Sequence, residues 1–272
     1  IDVVSEGEDV LVDAGRYQYT YHKKNRIWLK SAYAHNTLLV DNKDFMEYTD
    51  AWGSEYAAPE LRISPIQKAG YLVLEGAHTG YLQKGVQVLL KRMVVVLEPG
   101  VYVLADMAYT SEKHTYSRLF HFNNQGNLVC EDNRIVYNGT RAKMELVFPQ
   151  ENISFHRIES KISRHYNLCE KNDAVSAEVQ GEGQTAMFAV LAGKQMQPIQ
   201  VCMRSVYNPV RNCALKEEYA QGLYVRTDNH EYRLIFRYKD LTGPHDLLQM
   251  DSCMGIGRLL ISADGENTIS FA

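Results

Sequence analysis

What most restricts the fold is punctuation. Short apolar runs rich in Val, Ile, Leu, Tyr and Phe recur along the chain, and Gly, Asn, Asp or Pro stops each one. Val3-Val4 and Val10-Leu11-Val12 flank the acidic turn Glu6-Gly7-Glu8-Asp9, which reads as a hairpin. Val86 to Leu97 is a long β-branched run, broken by Glu98-Pro99-Gly100, and Val101 to Ala105 returns. Pro followed by Gly is a strong turn signal, so this too is a hairpin. Tyr71 to Leu74, closed by Gly76, is a further strand, and so is Leu119 to Phe122, bounded by Asn123-Asn124. Arg134 to Tyr137 ends at Asn138-Gly139, the pair favoured in two-residue turns. Runs at 143–148, 186–191, 224–226, 232–238, 258–262 and 268–271 complete the series, with Asp264-Gly265 as a tight turn. Helical periodicity is nearly absent; residues 201–220 are mixed enough to hold one short helix. This pattern predicts an all-β chain, a large antiparallel two-sheet sandwich with few or no helices.

The 272 residues bury a stable core easily, and no Pro/Ser/Gly-rich linker or internal repeat divides them. A single domain over 1–272 is expected. Ile1-Asp2-Val3-Val4 reads as strand from the first residue, which suggests the C-terminal part of a longer chain. No apolar run reaches the roughly 18–20 residues that span a bilayer, so no membrane helix is expected. The net charge of −4 argues against nucleic acid as a partner. Five widely spaced cysteines without a CxxC pair fit neither a disulfide framework nor a zinc ribbon.

The charge is uneven. Arg16, Lys23, Lys24, Arg26 and Lys30 fall in a stretch without an acid, interleaved with Tyr17, Tyr19, Tyr21 and Trp28. One reading is a solvated loop. The other is a surface for an anionic polymer, with aromatics stacking on its rings.

Polar residues at strand ends are the candidates for chemistry. VLVDAGRYQY closes an aliphatic run with Asp13, and SAYAHNTLLVDN opens one with His35 and Asn36. A carboxylate and an imidazole both suit zinc, but zinc wants at least three protein ligands. A lone Asp before Ala-Gly is ordinarily a turn former, and a lone His before Asn a satisfied loop residue. In GAHTGY (76–81), His78 lies among glycines, as in an exposed turn. In KHTYSRLFHF (113–122), His121 alternates with Phe120 and Phe122 and is either a core or a groove histidine. No GxSxG, phosphate loop or HExxH occurs, which sets aside hydrolase elbows, nucleotide enzymes and zincins.

The succession VLVDAGRYQY, SAYAHNTLLVDN, EGAHTGY, LKRMVVVLEPGVYVLADM and HTYSRLFHF resembles the C-terminal β-domain of heparinase II/III-like polysaccharide lyases. The likeness is specific in the first half of the chain; beyond Tyr137 it is one of strand-rich character. It implies a partner N-terminal helical toroid, absent here, and cleavage of acidic, uronic-acid-containing polysaccharides of the heparin or heparan kind by β-elimination. In that reaction a base removes the C5 proton beside the carboxylate, and an acid protonates the leaving oxygen at C4. The family's motif positions put metal ligands at Asp13 and His35, for a divalent ion such as zinc or calcium. The site stays incomplete here, because a further ligand and a catalytic His fall in a His-x-His element upstream. The resemblance makes Tyr21 the proton donor or acceptor and Tyr17 a substrate contact, with Arg16, Asn36, Lys24 and Arg26 as substrate-binding residues. It further implies a periplasmic or secreted protein, and a chain inactive alone. The alternatives are a non-catalytic carbohydrate-binding or structural sandwich, or an alginate-type lyase domain.

Overall fold

The computed structural model describes residues 1–19, 23–56, 58–239 and 246–272. Strands hold 54% of the chain and helices 6%, so the all-β reading stands. The Pro99-Gly100 hairpin shows why these residues make sheet. Gly100 sits at φ 82°, a conformation that L side chains avoid, and lets Leu89–Glu98 fold back on Val101–Tyr109. Val101, Val103, Ala105 and Met107 point to one core, while Leu104 and Ala108 point to the other side. Both faces of Val101–Tyr109 are covered, so that strand is buried along most of its length rather than at every second residue.

That hairpin is central in an antiparallel sheet of eight strands. Their order is Glu60–Lys68, Tyr71–His78, Leu89–Glu98, Val101–Tyr109, Thr185–Gly193, Lys143–Val147, Arg134–Asn138 and Asn127–Glu131. A four-stranded sheet covers one face, in the order Ser154–Ile162, Glu170–Glu182, Lys113–His121 and Leu38–Val40. Phe120, Phe122, Val175 and Ala177 meet Leu104, Leu146 and Leu191 across this interface. A five-stranded sheet built from residues 200–271 covers the other face, where Phe188 meets Phe236 with ring centroids 4.9 Å apart. Burying one such ring stabilises the fold by roughly 1.5–3 kcal/mol. The sandwich continues into a fourth layer: Leu248, Met250 and Cys253 of a small sheet pack on Ile235 and Leu260.

Four local expectations change. Residues 201–220 hold strands and turns instead of a helix, because Gln200–Arg204 pairs with Ala220–Arg226 at the sheet edge. The one α-helix among the described residues is Lys23–Lys30, inside the stretch read as a loop or surface; Leu29 anchors it against Ala14 and Ala34. Gly76 to His78 belong to strand Tyr71–His78, so His78 is half-buried rather than at the tip of a turn. Finally, Arg134–Asn138 and Lys143–Val147 are joined by four residues, not two.

The fourth change has a clear cause. The backbone N–H groups of Thr140, Arg141 and Ala142 in that loop all donate to the Glu8 carboxylate, at 3.1, 2.7 and 3.0 Å. A tight turn would leave no such cradle. A Cβ at Gly139 would lie 2.2 Å from Glu8 Oε1, so the glycine is needed for the close approach.

Candidate functional site

Residues 10–12 and 37–40 lie head to tail along the same edge of strand Lys113–His121. Val10 O accepts from Asn123 N and Val12 N donates to His121 O; further along, Thr37 O accepts from Leu119 N, and Leu38–Val40 pairs with 116–118. The chain therefore leaves this edge at Asp13 and returns to it at Asn36. Residues 13–36 form an excursion whose two ends meet.

Asn36 closes the gap. Its Oδ1 accepts from His121 N at 2.7 Å, and its Nδ2 donates to Val12 O at 3.1 Å and to Ile1 O at 2.8 Å. Its own carbonyl accepts from Arg92 Nη1 at 2.6 Å. Asn36 is 5% exposed and both ends of its amide are taken, so it stitches the sheet edge. Beneath it, Asp106 pairs with Arg92 at 2.6 Å and with Arg118 at 2.9 Å. Burial alone would raise the Asp106 pKa, but the two guanidiniums outweigh it and hold the carboxyl low.

Asp13 and His35 face each other at the neck of the excursion, with Oδ2 and Nδ1 2.8 Å apart. Asp13 Oδ1 accepts from Gly15 N at 2.9 Å. Gly15 has φ 76°, and a Cβ there would lie 2.1 Å from Ser163 O, so the Asp-Ala-Gly text is a turn that only glycine completes. The hydrogen bond from His35, opposed by partial burial and helped by Gly15, lowers the Asp13 pKa to about 2. An ionised carboxylate can only accept, so His35 Nδ1 must carry the shared proton. In the neutral ring, Nε2 then keeps its lone pair. The pair is a carboxylate–imidazole dyad, whose second ring nitrogen is a base or a metal ligand by its chemistry. The side chains are 50% and 35% exposed, which leaves room for a partner.

The excursion also carries the aromatic and cationic residues. Arg16 and Lys24 are exposed. Tyr17 has φ 64°, an uncommon conformation for a bulky residue, and packs with Trp28 against Ala14 and Leu29. Tyr21 lies outside the described residues. The Arg26 guanidinium sits 5.7 Å from the Trp52 ring centre. Trp52 stacks on Tyr19 at 5.6 Å with planes 8° apart, and Tyr19 on Tyr166 at 6.0 Å. These three rings are 62%, 47% and 65% exposed. A cavity of about 250 Å³ lies beside them, lined by Arg16, Tyr17, Tyr19, Arg164, His165 and Tyr166. Sequence reasoning found Tyr19 but not Trp52 or Tyr166, whose partners are remote in the chain.

His121 and His78, the other two histidines singled out in the sequence, are not members of the dyad. His121 is 1% exposed and bonded through Nδ1 to Ser160 Oγ at 2.8 Å; burial pushes its pKa down to about 4. It is a core histidine. His78 lines a separate cavity of about 570 Å³ with Lys91 and Arg92. No group of three metal-binding side chains forms among the described residues. Asp13 and His35 suit a divalent ion in donor chemistry, but they are two donors where zinc requires at least three.

A heparan sulfate lyase, HepC, from Pedobacter heparinus has a similar structure, with TM-score 0.69 and 15% identity; the match covers 89% of this chain and 37% of that one. A heparinase III gene product with methylated lysines gives TM-score 0.67 and 17% identity, over 87% of this chain and 35% of that one. A heparinase III gives TM-score 0.65 and 11% identity with 87% and 35% covered. The chain thus spans little more than a third of these solved chains, and at such identities the likeness shows the fold. No curated protein matches in sequence. The profile of the family described as heparinase II/III-like, C-terminal, matches residues 1–201, three-quarters of the chain, and the chain belongs to that family.

Proposed function

We propose that this chain is the sandwich half of a polysaccharide lyase that cleaves uronic-acid glycans of the heparin or heparan kind by β-elimination. The observation that carries the reading is the Asp13–His35 dyad, held half-exposed at the neck of an excursion bearing Arg16, Tyr17, Lys24 and Arg26. Asp13 orients the ring, and His35 acts through Nε2. Arg16, Lys24 and Arg26 draw in the sulfates and carboxylates of the glycan; a guanidinium can take either group with two parallel hydrogen bonds. Tyr17 contacts the sugar chain, and Tyr21 exchanges the proton at C5 or at the leaving oxygen, as the family resemblance implies. The acidity of C5–H rises when the neighbouring carboxylate is neutralised, a stabilisation of charge as it develops.

A divalent cation, zinc or calcium, bound by Asp13 and His35 with further donors from outside the described residues, would supply that neutralisation. The helical toroid expected of the family would supply the rest of the active site, so the chain by itself is inactive. A core shared by the eight- and five-stranded sheets, with members from Val73 to Phe271, supports one domain. A polymeric acidic glycan is met outside the cytoplasm, which fits a periplasmic or secreted protein. No helix among the described residues is long and apolar enough to cross a membrane.

The exposed row Tyr166–Tyr19–Trp52 favours a second reading, a non-catalytic glycan-binding sandwich. One experiment separates the two. The full reading frame is expressed and incubated with heparan sulfate, heparin, alginate and hyaluronan while ultraviolet absorbance is followed. Unsaturated uronate from the first two supports the lyase reading, and product from alginate alone moves the substrate. Retention on a heparin column without product from any glycan contradicts catalysis.

A further inference from the structure

Three aromatic rings from distant parts of the chain stand in one row on the surface. Tyr19 belongs to the excursion, Trp52 to the turn after Asp50, and Tyr166 to the loop after strand Ser154–Ile162. Centroid distances of 5.6 and 6.0 Å, with planes 8° and 27° apart, are those of offset stacking. Stacked rings in a core stay out of water, yet these three are 47% to 65% exposed. A contiguous aromatic surface left in water marks a contact for another molecule.

Both ends of the row are held. Ser163 N donates to Ala14 O at 2.8 Å and Asn167 N to Tyr17 O at 2.7 Å, so the loop that carries Tyr166 runs beside the first residues of the excursion. Arg164 pins the same loop, with Nη2 and Nη1 donating to Asn123 and Asn124 Oδ1 at 2.6 and 2.9 Å. At the other end, Asp50 Oδ1 accepts from Trp52 N at 2.6 Å and Gly53 N at 2.8 Å, and Lys30 Nζ donates to Gly53 O at 3.0 Å. Rings fixed in this way give contact area at little cost in conformational entropy.

The surroundings select the ligand. The Arg26 guanidinium lies over Trp52. The cavity beside Tyr19 and Tyr166 is lined by Arg16, Arg164 and His165, with no Asp or Glu among the described residues. An apolar peptide or a lipid tail would meet charge where it needs apolar surface. A pyranose lays its C–H face on an aromatic ring, and a sulfate or carboxylate that it bears takes a guanidinium with two hydrogen bonds. Nucleobases also stack on such rings, but a net charge of −4 opposes a nucleic acid.

We propose that the row Tyr166–Tyr19–Trp52 is an outlying subsite of the glycan cleft. It grips an acidic sugar residue away from the bond that is cut, and so makes the protein favour long chains over short ones. The proposal rests on the lyase reading for the cut, though not for the grip. Tyr19 is six residues past Asp13, so its backbone lies within about 20 Å of the dyad, and one oligosaccharide of several units can cover both.

Calorimetric titration of the full reading frame with a tetrasaccharide and an octasaccharide of heparan sulfate tests it, with single-stranded DNA as a second polyanion. All proteins carry His35→Ala, so that the glycan survives the titration. The expected result is tighter binding of the octasaccharide than of the tetrasaccharide. Trp52→Ala and Tyr166→Ala, both at exposed positions, should each lower octasaccharide affinity about tenfold, or about 1.4 kcal/mol, and bring the two lengths together. Tyr166→Phe keeps the ring and should bind as tightly as Tyr166. No binding, or equal affinity for the two lengths before the ring is removed, would overturn the proposal. Octasaccharide affinity unchanged in both alanine variants, or DNA bound more tightly than the octasaccharide, would overturn it as well. Turnover plays no part in this titration, so its failure leaves the lyase reading standing, and a failed ultraviolet assay leaves the grip standing.

Discussion

Glu8 and Asp13 stand a few residues apart on the same edge-forming segment, and both carboxyls are held at a pKa of about 2. Their surroundings differ completely. Glu8 is 6% exposed, and its oxygens accept from Thr140, Arg141 and Ala142 N–H and from Tyr137 Oη. Nothing is left over for another molecule. Asp13 accepts from Gly15 and His35, and half of its side chain remains in water. A depressed pKa therefore does not mark a functional carboxylate here. What sets the proposed site carboxylate apart is exposure, with half of its side chain in water. The same contrast separates neighbours in sequence: Asn36 is 5% exposed with both ends of its amide taken, whereas the His35 side chain is 35% exposed.

The contrast is broken most severely from below. Asp106→Ala leaves Arg118, 1% exposed, without its counter-charge. Removing one partner of a buried ion pair costs about 3–5 kcal/mol. Denaturant unfolding should show that loss; a drop under about 1 kcal/mol would remove Asp106 from the interior scaffold. Asn36→Ala is the next largest. It orphans His121 N and Val12 O in the sheet edge, at about 1–3 kcal/mol for each buried group left unpaired. Thermal melting should fall clearly, while His35→Ala next door stays within about 0.5 kcal/mol of the parent.

Acid titration sharpens the comparison between the two carboxylates. Both have folded pKa values below their ordinary ones, so each adds stability that is complete above its ordinary value and disappears as the pH falls through the folded value. For Glu8 that window runs from 4.5 down to about 2, and for Asp13 from 3.8 down to about 2. Unfolding followed against pH should flatten across the window in Glu8→Gln. The change in Asp13→Asn should be smaller, because solvent screens a half-exposed pair. A larger flattening in Asp13→Asn would reverse the assignment of the two roles.

Most of the architecture was legible because turn chemistry is local. Glu6-Gly7, Pro99-Gly100 and Asp264-Gly265 each turn the chain where the text says so, with φ of 50° and 70° at the first pair, 82° at Gly100 and 51° and 77° at the last pair. The four-residue loop after Asn138 was not legible, since its shape answers to Glu8, more than a hundred residues earlier. The helix Lys23–Lys30 was hidden for a related reason: with few apolar residues, it depends on Leu29 packing against Ala14 and Ala34. In the candidate site, Asp13 and His35 were legible as strand-end residues, and the family motif tied them together. Their contact, and the burial of Asn36 beside them, required knowing that 10–12 and 37–40 share one neighbour. Trp52 and Tyr166 carried no signal at all, because an exposed aromatic shows its stacking partner only in three dimensions.

The role proposed for His35 is chemistry rather than stability. The most direct measurement is made on the full reading frame, with His35→Ala and its parent compared for ultraviolet-absorbing product from heparan sulfate and for thermal melting in the same preparations. The prediction is product formation abolished and a melting temperature within about 2 °C of the parent. Product formed at the parental rate would contradict it, as would a melting temperature that collapses together with the activity.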